Sequence, residues 1–405
     1  MHILQLCNKP PYPTRDGGTM AALDITKGLS WQGHQVDILT MSTPKHPSPK
    51  GKLPDSLSLV NMEDRFVDTT ATITGYLRNL LFSRTPYIAE RFISKEFQDR
   101  LIEKLQKNKY DVVHLEGLYL SHYVSVIRRH SKALISYRAH NIEHHIWEAL
   151  VNNEKNYFRK ILLSHMTGRL KKYELKFLNK YDLLVPITQK DSNFLDSHGN
   201  YKNSHICQTG IESERVSAIT CQKQMSIFYL GSLDWLPNIE GLTWFIDNVW
   251  PQLKHNFPNL EFHIAGRNSP QDFADQRFPN GIVFHGEVKS AETFLETYNI
   301  MLVPLFSASG MRIKIIEGLS KGKAIVTTTI GTEGINTKNG KTILVADTAS
   351  EFQTAISKLL IDKELNSNIK SNALSFIKEQ FNTISIGKKL SDFFEKNLNN
   401  RATTI

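Results

Sequence analysis

MHILQLCNKPPYPTRDGGTMAALDITKGLSWQGHQVDILT, residues 1–40, decides the fold. Met1 to Cys7 is an apolar, alternating run of the kind that forms a buried first strand. Asn8 to Gly18 is rich in Pro and Gly and reads as a loop. Thr19 to Gln32 then spaces Met20, Ala21, Leu23, Ile25 and Leu29 at helical intervals, and Gly33-His34 stops that helix before a second strand, Gln35 to Thr40. Strand, loop, helix, strand is the opening of a doubly wound α/β domain.

The pattern continues outward. Strands are predicted at Asp111 to Leu115, Ala133 to Tyr137 and Leu183 to Pro186, each after a helical stretch. It then restarts. Ile227 to Ser232 is a strand ending in a glycine turn, a helix runs around Gly241 to Val249, and further strands fall at Leu260 to Gly266, Ile282 to Phe284, Ile300 to Val303 and Ala324 to Thr327. Two Rossmann-like α/β domains facing across a cleft are expected, at residues 1–208 and 209–375. Residues 376–405 form the end of a long helical stretch, about Leu365 to Asn397, whose Phe376, Phe381, Phe393 and Phe394 need apolar cover. That segment is expected to return to the first domain.

A chain of 405 residues suits two lobes, and 40% hydrophobic with 22% charged residues is an ordinary globular composition. No run of about 18 apolar residues occurs and the start lacks a basic flank and cleavage site, so a cytoplasmic chain is expected. Cys7, Cys207 and Cys221 have no CxxC spacing, which suggests neither a disulfide framework nor a zinc site. Residues 1–208 carry 29 Lys and Arg against 20 Asp and Glu, so the excess of the +9 net charge lies there. Its densest part, Lys155 to Lys180, interleaves cations with Tyr157, Phe158, Ile161 and leucines. It reads as a basic amphipathic helix suited to peripheral contact with an anionic membrane or to a phosphorylated acceptor, the alternative being a solvated face. No nucleic-acid motif accompanies the charge.

The strongest local signal is Val303 to Lys323. A strand runs into a small-residue loop and a short helix closed by Gly322, so the free amides of Gly310, Met311 and Arg312 form an anion site at the strand's carboxyl end. Arg312 and Lys314 add cationic donors suited to a diphosphate, and Glu317 is placed to accept from ribose hydroxyls. The competing reading makes Arg312 and Lys314 ordinary exposed helix charges and Glu317 a capping or ion-pair residue. Asp16-Gly17-Gly18-Thr19 opens the first helix, where bare backbone can approach a ligand, although the GxGxxG spacing is absent. His140 follows the strand Ala133 to Tyr137 at its carboxyl end, beside Arg138, Glu143, His144 and His145. No HExxH spacing supports a metal there, adjacent histidines point different ways, and the metal expectation is none. No DxD triplet, GxSxG elbow or Walker loop occurs.

Together these residues resemble glycosyltransferase family 4, the retaining enzymes of the GT-B fold. The likeness rests on Pro10-Pro11-Tyr12-Pro13 to Gly17-Gly18, Gly33-His34, His140, Gln208 to Glu212, and Ser309 to Glu317 followed by Gly322 to Thr327 and Gly331 to Gly334. It implies that Glu317 binds the ribose, that the amides after Gly310 bind the β-phosphate, and that His140 meets the sugar's hydroxyls. Gly286-Glu287-Val288 would border the base. The donor-binding set so implied is Gly17, Gly18, Gly231, Ser232, Arg267, Val288, Ser309, Gly310, Met311, Arg312, Lys314 and Glu317, with His140, Arg312 and Lys314 as catalytic residues. Two positions depart from the pattern. Ser309 stands where the family's first glutamate lies, and Gly231 to Asn238 lacks the usual Arg and Lys of the diphosphate clamp. The Gly-x-Arg-x-Lys run at 310–314 is similar to a subgroup in which those cations compensate.

The resemblance implies transfer of a hexose-type sugar, with retention, from a nucleoside diphosphate-sugar donor to a glycan or lipid-linked acceptor in cell-envelope polysaccharide assembly. No cofactor and no metal are expected. A nucleotide-sugar epimerase of the same fold and a non-catalytic nucleotide-sugar-binding partner are the alternatives.

Overall fold

The computed structural model describes residues 1–48, 53–199, 203–218, 221–307 and 311–402. They divide into two compact units, Met1–Gly210 with Thr383–Ile405, and Ile211–Asn382. The sequence reading put the boundaries at 208/209 and 375/376.

The first unit is built on a six-stranded sheet: β1 (His2–Cys7), β2 (Gln35–Ser42), β3 (Val60–Phe66), β4 (Val112–Glu116), β5 (Leu134–Ala139) and β6 (Leu183–Pro186), in spatial order β3-β2-β1-β4-β5-β6. Every pairing is parallel. The central strands read as near-continuous apolar runs because helices cover both faces. β1, β2, β4 and β5 contribute Leu4, Leu39, Val113 and Ile135 to one core cluster and Ile3, Ile38, Val112 and Leu134 to another.

The second unit repeats the plan with β7 (Lys223–Leu230), β8 (Glu261–Ala265), β9 (Ile282–Gly286), β10 (Tyr298–Val303), β11 (Ala324–Thr327) and β12 (Leu344–Val345), ordered β12-β11-β10-β7-β8-β9. In each sheet the order reverses at one seam, β1/β4 in the first and β7/β10 in the second. Ligands of open α/β sheets collect outside the strand carboxyl ends at such seams.

The C-terminal helical stretch is two helices, Lys363–Gln380 and Thr383–Ala402. Phe381 buries in the second unit's core and Phe394 in the first's, so the two helices belong to different units. The last helix crosses the first, Gly17–Ser30, at Gly28 and Gly387, where a Cβ built on Gly387 would lie 2.4 Å from the Gly28 backbone.

Candidate functional site

At the β7/β10 seam the backbone of Gly231 leaves β7 and the helix Leu236–Asn248 begins five residues later. The helix Ile313–Ser320 starts after β10 and sends Lys314 back toward β7. Lys314 Nζ donates to Tyr229 Oη at 2.9 Å and to Asn238 Oδ1 at 2.7 Å, and lies 4.7 Å from the Tyr229 ring centroid. Asn238 is fixed in turn by donating through Nδ2 to the Ser232 carbonyl at 2.6 Å. A Cβ on Gly231 would sit 2.7 Å from Tyr229 Oη and 3.0 Å from Lys314 Nζ, so bare backbone is what admits the amine here.

Burial, and then the charge of Arg312, hold the Lys314 amine down to about 7. Arg312 is buried, with its guanidinium carbon 5.8 Å from the Trp235 ring centroid. It is the N-cap of its helix without a side-chain cap, and the helix's opening amides have no intrahelical acceptor. Glu317, one turn beyond Lys314, lies 3.8 Å from Arg215, and burial pushes its carboxyl up. Met311 and Val288 pack against the apolar cluster beneath. Arg267 follows β8, and its carbonyl accepts from Leu233 N at 2.9 Å, which ties the turn after Gly231 to the end of β8. Ser232 donates to Asp234 at 2.5 Å. Ser309 and Gly310 lie outside the described residues.

The first unit carries a second polar cluster at its own seam. Cys7, Glu116 and Arg138 are cross-strand neighbours at the carboxyl ends of β1, β4 and β5. Glu116 is buried and accepts from Gln5 Nε2 at 2.8 Å and from His140 Nε2 at 2.7 Å, with Arg138 3.6 Å away and His114 3.4 Å away. The charge of Arg138, then the nearby His114 and the hydrogen bond from His140, hold the Glu116 carboxyl well below its ordinary range against the desolvation of a buried site. His140 is pushed down by burial and stays neutral, so its bond to the carboxylate puts the proton on Nε2.

Gly17 and Gly18 open the first helix. Their cap is filled by Asp16, which accepts from Thr19 N at 2.9 Å and from Lys9 Nζ at 2.7 and 2.8 Å. His144 and His145 do present ligand atoms, with Glu148, within 4.8 Å of one another, although they are adjacent residues. His144 Nδ1 is taken by Glu174 at 2.6 Å, and Lys171 lies 3.4 Å from Glu148. Tyr119 donates to Glu143 at 2.9 Å; burial and the nearby Glu174 raise Glu143 to about 7.

Of the residues the sequence singled out, Gly17, Gly18 and His140 thus fall in the first unit, and Gly231, Ser232, Arg267, Val288, Met311, Arg312, Lys314 and Glu317 in the second. Glu116, Gln5, Tyr229, Asn238 and Arg215 escaped the sequence reading. A carboxylate closing the apolar run Val112-Val113-His114-Leu115 was the available signal for Glu116.

Two parallel sheets of this order define a protein of two doubly wound α/β units. Residues 15–215 match the Glycosyltransferase Family 4 model and residues 224–362 match Glycosyl transferases group 1. The chain therefore carries the paired domains of a glycosyltransferase of the GT-B fold. An uncharacterised 44.6 kDa protein in the cps region of Klebsiella pneumoniae is 25% identical over 401 residues, 96% of this chain and 97% of that one. Sucrose-phosphate synthase from Thermosynechococcus elongatus superposes with a TM-score of 0.69 at 14% identity, covering 98% of this chain and 99% of that one. HepE from Anabaena, solved in complex with UDP, gives 0.66 at 11%, covering 98% and 100%.

Proposed function

We propose that the protein transfers a hexose-type sugar, with retention, from a nucleoside diphosphate-sugar to a glycan or lipid-linked acceptor in cell-envelope polysaccharide synthesis. The observation that carries the reading is Lys314: a cation at a seam whose hydrogen-bond partners among the described residues, Tyr229 and Asn238, are neutral. The donor's diphosphate would supply the missing negative charge, with Arg312 and the amides of residues 310–312 as further donors. These groups stabilise charge that grows as the sugar leaves, so no metal is assigned to that task. Glu317 accepts from the ribose, and neutral His140, oriented by Glu116, meets the sugar's hydroxyls. The UDP complex of HepE and the cps-region relative support a nucleotide donor and an envelope role.

A panel of nucleotide-sugars, read by thermal shift and then by turnover with and without acceptor, tests the proposal. Stabilisation by one donor and transfer only with acceptor are expected. Product without acceptor would turn the reading to an epimerase, and stabilisation by no nucleotide would overturn it.

A further inference from the structure

The sequence marked Lys155 to Lys180 as a single basic amphipathic face, but the helix Tyr157–Leu178 is not uniform. Its second half turns Leu170, Tyr173, Phe177 and Leu178 into the first unit's core. Its first half does the opposite. Tyr157, Phe158, Ile161 and Leu162 stand in solvent, with Phe158 81% exposed.

A second helix of the same unit, Ile73–Phe82, behaves in the same way. Ile73, Leu77, Leu81 and Phe82 are all exposed, Phe82 at 84%. Arg169 straps the two helices together, its guanidinium donating to the carbonyls of Ser83 at 2.6 Å and Thr85 at 3.0 Å, just past the end of the shorter helix. Tyr76, Pro86 and Tyr87 close a small cavity there with Met166, Arg169 and Leu170. The exposed turns of the longer helix begin about 10 Å along its axis from Arg169, at 1.5 Å per residue. Both apolar sets therefore lie within a few turns of the same strap.

Single exposed apolar residues need no explanation, but nine on two strapped helices, Leu80 included, do. The charge around them selects the occupant. Residues 69–89 and 155–173 contain no Asp or Glu. Arg78, Arg84, Lys155, Arg159 and Lys160 are all exposed among the apolar side chains. Apolar side chains that enter the acyl boundary, interspersed with cations at headgroup level, are what an anionic bilayer surface binds. Among the described residues no helix is long and apolar enough to cross a membrane.

We infer that the paired helices Ile73–Phe82 and Tyr157–Leu178 dock the first unit on an anionic lipid bilayer, with Phe82 and Phe158 inserted and Arg78, Arg84, Arg159 and Lys160 at the headgroups. The inference rests on the proposed function in that it names where a membrane-borne acceptor is met, but its test is independent of donor chemistry.

The full chain is floated with phosphatidylcholine vesicles with and without phosphatidylglycerol. Binding is expected only with phosphatidylglycerol and should weaken with salt. The double variant Phe82→Ser/Phe158→Ser should lose about a hundredfold in partitioning, from two buried phenyl groups. Arg159→Gln/Lys160→Gln should lose about thirtyfold, and only on the anionic vesicles. The unfolding midpoint and donor affinity should stay unchanged in both variants. Absence of vesicle binding by the wild type, or equal binding by both variants, would overturn the inference. So would a wild-type dimer in sedimentation equilibrium that the serine pair dissociates without any vesicle binding, since the surface would then belong to a second copy. Vesicle binding that persists where no nucleotide-sugar binds would sink the proposed function and leave the membrane surface standing.

Discussion

Lys314→Met should abolish the pH dependence of donor binding, and the size of that dependence follows from the site. In the free protein burial holds the amine down to about 7, and Tyr229 and Asn238 accept from it without supplying charge. A nucleoside diphosphate-sugar brings two negative charges that do not titrate near neutrality. Beside them the amine returns toward the ordinary lysine range, so binding takes up a proton. Affinity then follows the protonated fraction of the free protein. It is flat below about pH 6 and falls about tenfold per pH unit above about 7, each decade corresponding to about 1.4 kcal/mol. From pH 7 to pH 9 the loss is about fiftyfold. The variant should bind weakly, with an affinity below that of the wild type at pH 9, and without slope.

Unfolding cannot mimic this result, because stability moves the other way. The unfolded chain holds the Lys314 proton up to about 10.4 while the folded chain has released it near 7. Between those values the unfolded state binds more protons, so this lysine makes the apo protein more stable as pH rises. Calorimetric titration of the best donor at several pH values, each in two buffers of different ionisation heat, reads affinity and proton uptake together. About 0.9 proton is expected at pH 8. A wild type whose affinity is level from pH 6 to 9, or a Lys314→Met variant that keeps the wild-type slope, would refute the reasoning.

Glu317→Ala should weaken donor binding by about tenfold to a hundredfold, the worth of a charge-assisted hydrogen bond, with the unfolding midpoint little changed; binding calorimetry and a thermal scan check it. Glu116→Gln should destabilise the first unit by about 3–5 kcal/mol, because Arg138 and its neighbours lose a buried counter-charge. Urea unfolding measures that loss. The carboxyl is depressed in the fold, so its contribution is present above the unfolded range near 4.3 and lost as pH falls below it; the wild-type stability should drop there more steeply than the variant's, in which Asp16, Asp37 and Glu63 remain as depressed carboxyls. Gly241→Ala should unfold the second unit or destabilise it by about 3 kcal/mol or more, since its Cβ would fall 1.7 Å from the Pro304 carbonyl oxygen; circular dichroism in urea reads it.

The interior strands were legible because they lie under helices and are apolar on both faces. β6 and β11 fall where the sequence puts them, residue for residue. The missed strands are both edges. β3, Val60-Asn61-Met62-Glu63-Asp64-Arg65-Phe66, carries charges along an exposed edge, and β12 has only two residues. The break at Phe381-Asn382 was hidden because apolar spacing runs through it without Gly or Pro, and only packing sends Phe381 and Phe394 to different cores. Within the site, Arg312, Lys314 and Glu317 share a few turns of one segment and could be read together. The partners that give Lys314 its character, Tyr229 and Asn238, lie 85 and 76 residues away in sequence, a separation that no local pattern spans.

The two seams handle buried charge in opposite ways, and the contrast bears on function. At β1/β4 the anion Glu116 has Arg138 beside it and accepts from Gln5 and His140, so its charge is met within the fold and the cluster acts as a mount for His140. At β7/β10 Lys314 meets only neutral acceptors among the described residues, and a second cation, Arg312, adds repulsion instead of relief. Folding alone gains nothing from keeping that amine, since a buried cation without a counter-charge is destabilising. An anion arriving at this seam would recover the lost charge interaction on binding, whereas one arriving at the Glu116 seam would meet a like charge, the Glu116 carboxylate already paired with Arg138. The proposed assignment of a donor's diphosphate to Lys314 rests on that difference.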